Sequence, residues 1–509
     1  MNKKSIISLF LFAALVIASF SVVSGCKKTP AGNDGTAGSS GTVDTSEDRI
    51  YPNLPDETYK GYEFTFDQWD IDGWGMIQDI SAEASDESKV GTAIYTRNKK
   101  IEEQYDIKIS LYQEDINSIQ QTYQQQVGAG DQDFDVFLVR SHEMQFVLPN
   151  DLCIDLNELK YCDFTQPWWD QNSVSQFSIA HKLYMVESDI TLRDKNATAC
   201  VMFNKRVQED FNIGEIYPLV ESGEWTWDKM IELAKKATLD NGDSVWDQND
   251  TWGWVSLDDL TYIMLHGGGA RYATKDSEDL PVPGFRETRT VEVAQRISDI
   301  IFNEEYFFHL SKATGDNSGD IFADNRALFY TDAIFRAQDF NDMEADFGIM
   351  PVPKYDETQK EYGHSVSIHF SSALTVPKTN NNLDRTSVIL EALAAESKYT
   401  VIPEYYDIYV KVRNTRDEEA KDMLDLIFAT RVYDLGEFFQ FGTFNSAFLR
   451  IWTNNTTESI ATLYQQYDSK VQASIDDFID KVVKEFRPSP IGYFSVAAVR
   501  RSGWNQKRR

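Results

Sequence analysis

Carboxylates dominate the groups in this chain that could do chemistry. In 509 residues, 81 Asp and Glu stand against 49 Lys and Arg, a formal net charge of −32. Glycoside hydrolysis needs two carboxylates at a set separation. With so many acids such pairs arise by abundance, so they name no active site. The other catalytic signatures are absent from the sequence: there is no Gly-x-Ser-x-Gly, no His-Glu-x-x-His and no Cys–His pair in a supporting context. Six unclustered histidines argue against a zinc site. A field this acidic repels phosphate backbones and excludes nucleic acid as a partner.

Two stretches combine acids with turn residues or rings. Asp240-Asn-Gly-Asp243 and Asp247-Gln-Asn-Asp250 resemble a calcium loop, which spaces oxygen ligands along a turn. The spacing is one residue short and no Glu closes it. An acidic surface turn is therefore the expectation, calcium at Asp240, Asp243, Asp247 and Asp250 is the alternative, and no cofactor is implied. The second stretch follows Tyr62, Phe64 and Phe66, which alternate as a half-buried strand requires. That run breaks at Asp67-Gln-Trp69-Asp70-Ile-Asp-Gly-Trp74-Gly75, a loop at the strand's end. Ligands of α/β sheets bind beyond strand C-termini, so Trp69 and Trp74 sit where binding groups belong.

The elements that must position these groups follow from apolar periodicity. Ile94, Ile101 and Tyr105 mark a helix, and Phe134–Val139 a second strand that ends in Arg140-Ser141-His142-Glu143. Pro167-Trp168-Trp169 reads as a packed turn, with both rings in the core. Two apolar runs, Leu183–Val186 and Ala199–Phe203, read as buried strands on either side of the polar segment Glu187–Thr198. Such a segment is what a chain needs to leave one α/β lobe and enter another, and a ligand cleft is expected beside it. Asn204-Lys205 opens a helix, and Thr226 caps another through Met230, Leu233 and Ala237. Trp252-Gly-Trp254 and Gly267-Gly-Gly269 follow, then a helix over Val293–Ile301. Strands are expected at Ala327–Tyr330 and Ala373–Val376, with Phe347–Pro353 extended because its prolines forbid helix. Asp384 can cap the first of the helices that run to about Phe486. At this length two lobes are the expected division.

The N-terminus carries a basic Met1–Lys4, an apolar Ile6–Val23 and Val23-Ser-Gly-Cys26. This pattern is a secretory signal, too short for a transmembrane span. Val-Ser-Gly-Cys resembles the bacterial lipobox, which implies cleavage before Cys26 and lipid on its sulfur. Lys27 to about Asp48 is polar and Gly-, Ser- and Thr-rich, a flexible tether. Cys153, Cys162 and Cys200 read as buried thiols, with a Cys153–Cys162 bridge as the alternative.

Several stretches together resemble the family 1 extracellular solute-binding lipoproteins of bacterial ABC transporters, the sugar-binding type. They are Ile94–Asn98, Lys182–Tyr184 with Ser188-Asp189, Phe203–Lys205, Trp225–Met230, Phe322–Tyr330, Phe347–Pro353 and Ile389–Glu396. The resemblance implies an α/β, two-lobe periplasmic-binding-protein-like type II fold with a hinge and an inter-lobe ligand cleft. It implies residues 1–25 as signal peptide and 26–57 as lipidated cysteine and tether. Lobe one would be 58–188 plus 370–402, lobe two 197–364 plus 406–490, and 491–509 a C-terminal tail. Three crossings would lie near 187–198, 363–372 and 400–406. The family's cleft positions match Trp69 to Trp74, Arg140, Ser141, Asp332 to Phe335, Tyr405 and Tyr406 here. Trp69, Trp74, Trp252 and Tyr406 would stack on the apolar face of a pyranose. Asp70, Asp189, Arg140 and Asp332 would satisfy its hydroxyls, whose burial unpaired is costly.

The implied protein is a monomer that captures a carbohydrate or oligosaccharide by hinge closure. Held outside the cytoplasm by its lipid, it would deliver that ligand to ABC permease subunits, without catalysis. A lipid-anchored glycan-active enzyme and a ligand-sensing lipoprotein serving a membrane sensor kinase remain the alternatives.

Overall fold

The computed structural model describes residues 49–71, 76–302, 305–313, 320–410, 418–453 and 459–483. The expectations for the signal peptide, Cys26, nearly all of the tether, Trp74 and the 491–509 tail lie outside the described residues. All the strands belong to one unit, Ile50–Arg509. In chain order they begin with β1 (Tyr62–Trp69), β2 (Ile107–Glu114) and β3 (Val136–Arg140). Next come β4 (Ala199–Asn204), β5 (Trp252–Ser256) and the short β6 (Ala273–Lys275) and β7 (Pro281–Pro283). Then follow β8 (Phe307–His309), β9 (Ala327–Ala333) and β10 (Phe347–Met350). The last are β11 (His364–Ser365), β12 (Ser372–Thr375) and β13 (Arg431–Val432).

Two principal sheets result. One has the order β12-β3-β1-β2, the other β10-β4-β9-β5-β8. In the first, β1 runs parallel to β2 and β3, and β12 antiparallel to β3. In the second, β5 runs parallel to β8 and β9, while β4 is antiparallel to both β9 and β10. Helices cover the sheet faces, so central strands are buried on both sides and need not alternate. That explains why β1 continues through Asp67, Gln68 and Trp69, all buried, where a loop is expected from Asp67 onward. Gln68 remains in the strand because its side-chain amide finds buried Asp79 at 3.1 Å.

The helix between β1 and β2 is Lys89–Tyr105, started by the Ser88 hydroxyl accepting from Gly91 and closed by Asp106 in the left-handed region. Its buried stripe Val90, Ile94, Arg97, Ile101 and Tyr105 follows helical spacing. Arg97 in that stripe donates to the carbonyls of Asp79, Ile80 and Ile190 and to Ser397 Oγ. The expected helices at Lys205–Asp210 and Trp227–Lys236 form, capped by Asn204 and Thr226. Trp225 and Trp227 lock the extended Phe347–Pro353 segment by donating to the carbonyls of Pro351 and Pro353, at 2.7 and 3.1 Å. Gly253 lets β5 press on that second helix, since a Cβ there would collide with the Ala234 carbonyl.

Three expectations differ from the structure. Leu183–Val186 is no regular strand; it makes single bridges only, Val186 meeting Leu374 on the outer edge of β12 before turning away. The cap of helix Leu383–Val410 is Asn382, whose side chain accepts from the Arg385 amide at 3.0 Å; Asp384 lies inside the first turn. Cys153, Cys162 and Cys200 are all free thiols, so the alternative bridge does not form. Trp168 and Trp169 are buried as expected, with Trp169 Nε1 donating to Glu391 at 2.9 Å. No helix among the described residues is long and apolar enough to cross a membrane.

Candidate functional site

The chain passes between the two sheets through Glu187–Thr198 and back through the segment after β11. Every residue of Glu187–Thr198 is buried, despite its polarity. Its charges are answered locally. Lys195 meets Asp194 at 3.1 Å and Asp189 at 3.3 Å, and Lys398 meets Asp189 at 3.7 Å. Arg431, from β13, bridges Asp170, which precedes the crossing, and Asp194 within it. Glu187 is enclosed with both carboxyl oxygens unpartnered. Burial, with Asp194 adding to it against Lys195, pushes its carboxyl far above the usual range. With Glu187 protonated, Asp170, Asp189 and Asp194 balance Lys195, Lys398 and Arg431.

The first sheet ends against this crossing. Trp69 is fully buried at the end of β1, its Nε1 donating to Ser372 Oγ at 2.8 Å. The Arg193 guanidinium covers its ring at 4.2 Å and donates to its carbonyl at 2.9 Å. In this structure Trp69 anchors the crossing rather than offering a free ring. Asp70 follows, its amide donating to the Glu114 carbonyl. At the end of β3, Arg140 pairs with Glu143 at 2.6 Å, and Ser141 Oγ accepts from Ser371 Oγ at 2.7 Å. The His142 and His369 rings lie 5.3 Å apart beside them.

The second sheet ends opposite. Asp332, near the end of β9, accepts from the Tyr330 hydroxyl at 2.6 Å and lies 3.9 Å from Arg336. Phe335 packs edge-on to Phe370 of the return segment, with centroids 5.1 Å apart. The return segment is stitched to both sides: the Ser367 amide donates to Ala197 O, and the His142 amide to Ile368 O. Tyr405 is buried on the helix Leu383–Val410, its hydroxyl 3.0 Å from Asn196 Oδ1 in the crossing, and Tyr406 packs on Phe428. That helix runs without a break over the 400–406 crossing expected from sequence.

A small pocket of about 10 Å³, room for one water, lies where the crossing strands meet the second sheet. Its floor is apolar: Ala197, Ala199, Ala333 and Ile263. Its polar lining is three carboxyls, Asp259, Asp332 and Glu437, with the hydroxyls of Tyr262, Ser365 and Ser367. Asp259 sits at the N-cap position of helix Leu260–Gly267 yet makes no capping bond, so its carboxylate is left for the cavity. Burial pushes that carboxyl up to about 7, with Asp332 and Asp258 adding and Arg336 opposing. Burial also raises Asp332 against the Tyr330 hydrogen bond, and raises Glu437 strongly with Asp434 and Asp259 adding. A carboxyl poised near neutrality, as Asp259 is, can donate to, accept from, or ionise against what enters.

Of the residues singled out from sequence, the structure brings Asp332 into the cavity lining. Asp189 and Tyr405 belong to the adjoining crossing, and Arg140, Ser141 and Phe335 to the strand ends around it. Trp252 starts β5, at the opposite end from Ser256, and its Nε1 donates to the Asp247 carbonyl at 2.8 Å. Five residues of strand, about 13 Å at the usual rise, separate it from the cavity edge. Sequence reasoning misses Asp259, Tyr262 and Glu437; the one available signal is Asp258-Asp259 before an apolar helical run. The calcium-like loop spends its carboxylates on its own backbone. Asp240 accepts from Gly242 and Ser244, Asp243 from Val245, Asp247 from Asn249, and Asp250 from Asn241 and Asp247. Among the described residues no group of three His, Cys, Asp or Glu is arranged to hold a metal. A larger open hollow of about 460 Å³ lies along the helix Lys205–Asp210, lined by no crossing residue.

A family model described as bacterial extracellular solute-binding protein matches residues 97–401. No curated protein matches the chain. Among solved structures the chain is similar to the ABC substrate-binding protein Lmo0181 from Listeria monocytogenes in complex with cycloalternan. That match has 14% identity, covers 84% of this chain and 100% of the other, and gives a TM-score of 0.52. It is also similar to UspC of M. tuberculosis, at 13% identity, 81% and 100% coverage and a TM-score of 0.53. A third is the GacH receptor of Streptomyces glaucescens GLA.O, described unliganded and with acarbose, at 12% identity, 84% and 100% coverage and a TM-score of 0.51. These matches carry the two-lobe, periplasmic-binding-protein-like fold.

Proposed function

The chain belongs to the bacterial extracellular solute-binding protein family, and from that premise we propose that it captures a carbohydrate or oligosaccharide between its lobes and hands it to an ABC permease. The observation that carries this reading is the small pocket at the crossings, which sets hydroxyl and carboxyl groups over an apolar floor. A sugar presents an apolar C–H face and a rim of hydroxyls, and a pocket with few convergent polar groups on an apolar base is complementary to both. Lmo0181 and GacH, which share the fold, were solved with cycloalternan and with acarbose, and this supports the carbohydrate class.

The mechanism is hinge closure. Lobe one is 58–188 plus 370–402 and lobe two 197–364 plus 406–490, joined by crossings near 187–198, 363–372 and 400–406. Ligand that touches both lobes favours the closed population by its differential affinity for it. Asp332, Arg140, Ser141, Phe335 and Asp189 take part or support the parts that do. Asp70, Trp74 and Tyr406 complete the rim once the lobes move, and Trp69 does so if Arg193 swings off its ring. Cleavage before Cys26 and lipid on its sulfur hold the monomer at the outer face of the membrane, beside the permease.

The test is a thermal-shift screen of the full chain against mono- and oligosaccharides. Ligand that binds only the native state raises the melting temperature by mass action. A shift for one glycan class, lost in Asp332→Ala, is the expected result. Consumption of the sugar during incubation would transfer the assignment to a glycan-active enzyme.

A further inference from the structure

We infer that the solute held in this cavity carries a cationic nitrogen, so that among carbohydrates the site takes amino sugars in preference to neutral or acidic ones. The inference rests on the carbohydrate reading and narrows it. Three carboxyls, Asp259, Asp332 and Glu437, line a space of about 10 Å³, the room of one water. An ammonium is about that size, so the space receives one such group while the ring that carries it stays outside. The positive charge beside it is a single guanidinium, Arg336, 3.9 Å from Asp332.

The groups are also left open. Glu437 is 1% exposed, and its nearest cation-forming neighbour, His266 Nε2, lies 3.6 Å away while already 3.2 Å from Asp434. Burial keeps that imidazole below its ordinary range, hence neutral. Tyr262 is 6% exposed and lines the cavity, and its hydroxyl has no hydrogen-bond partner among the described residues. Asp259 declines the cap it is placed to make. An unpartnered phenol and two unpartnered carboxyls converge on one small space. Arg336 offsets Asp332 and acts on Asp259 only through space, whereas an ammonium would take three acceptors at once, and hydroxyls on the same ring would meet Ser365 and Ser367. A uronate or a phosphorylated sugar would add charge of the wrong sign.

The experiment is calorimetric titration of the full chain at pH 7 with matched pairs: glucosamine against glucose, galactosamine against galactose, deacetylated chitobiose against cellobiose. Spermidine serves as a cation without hydroxyls. Hydrogen bonds to charged groups predict at least about a ten-fold tighter constant for the amine of the best pair. Glu437→Gln and Asp259→Asn should bring the preference for the amine over its neutral partner within about two-fold. A readout independent of variant folding is proton exchange, from titrations in two buffers of different ionisation heat. The amine should expel protons from Asp259, which faces Asp258, Asp332 and Arg336, and from Glu437, which faces Asp434, Asp259 and His266. A neutral sugar bound as tightly as its amine, or amine binding without proton release, overturns the inference and leaves the carbohydrate reading intact. Binding of spermidine alone, or of no sugar of either kind, overturns both.

Discussion

Asp259 and Glu187 show how burial without a partner changes what a carboxyl does. Asp259 releases its proton near 7 in the folded chain, against 3.8 for the ordinary group. The folded state therefore holds more protons between those values, and stability falls as pH rises through that window. One such proton gives a slope of at most about 1.4 kcal/mol per pH unit. Asp259→Asn should flatten the fall in melting temperature between pH 4 and 7, and thermal denaturation of both proteins across that range checks it. Glu187 is read as neutral because three cations and three carboxylates already balance around it. Glu187→Gln should then cost less than about 1 kcal/mol at pH 7. Arg431→Met, which strands Asp170 and leaves Asp194 to Lys195 alone, should cost about 3–5 kcal/mol. Urea unfolding of the two variants decides whether that protonation state is right.

At the scale of elements, legibility follows the physical signal each element emits. Tyr62, Phe64 and Phe66 give β1 away by alternation, and Asn204 and Thr226 mark their helices by cap chemistry. The whole of β2 is hidden in the sequence, because Ile107 follows the helix Lys89–Tyr105 with only the left-handed Asp106 between them. The far end of β1 reads as loop because a strand buried on both faces can hold Asp67 and Gln68 when neighbours satisfy them. The cavity is the least legible part. Asp259 and Glu437 lie far apart in sequence, and a carboxylate has no period, so only the packing of helix Leu260–Gly267 against the crossings unites them. Gly253 is visible only as the middle of Trp-Gly-Trp, although it sets how closely β5 lies on helix Trp227–Lys236. Gly253→Ala should destabilise by about 2–4 kcal/mol through overpacking against the Ala234 carbonyl, a loss measurable by denaturant titration.

At the scale of the molecule, coupling between the sheets runs through a few buried polar joints. Arg193 joins the crossing to β1 by its Trp69 bond and ring contact, and lies 4.0 Å from Asp79. Arg193→Met should cost about 3–5 kcal/mol, since Asp79 would keep its burial and lose that cation. Amide hydrogen exchange should show the loosening first at Glu187–Thr198, and uniform loosening would refute the joint. The helix Leu383–Val410 is a different kind of connection. Arg385 ties its start to Asp135, just before β3, at 3.2 Å, and Tyr405 and Tyr406 reach Asn196 and Phe428 near its far end. A rod clamped at both ends behaves as a leaf spring: any swing of the lobes flexes it, and it pushes back. Pro403, which lacks an amide hydrogen to complete the ladder, is its thinnest leaf. In the hinge closure proposed above, the stiffness of this helix then counts among the forces that set the resting angle of the lobes.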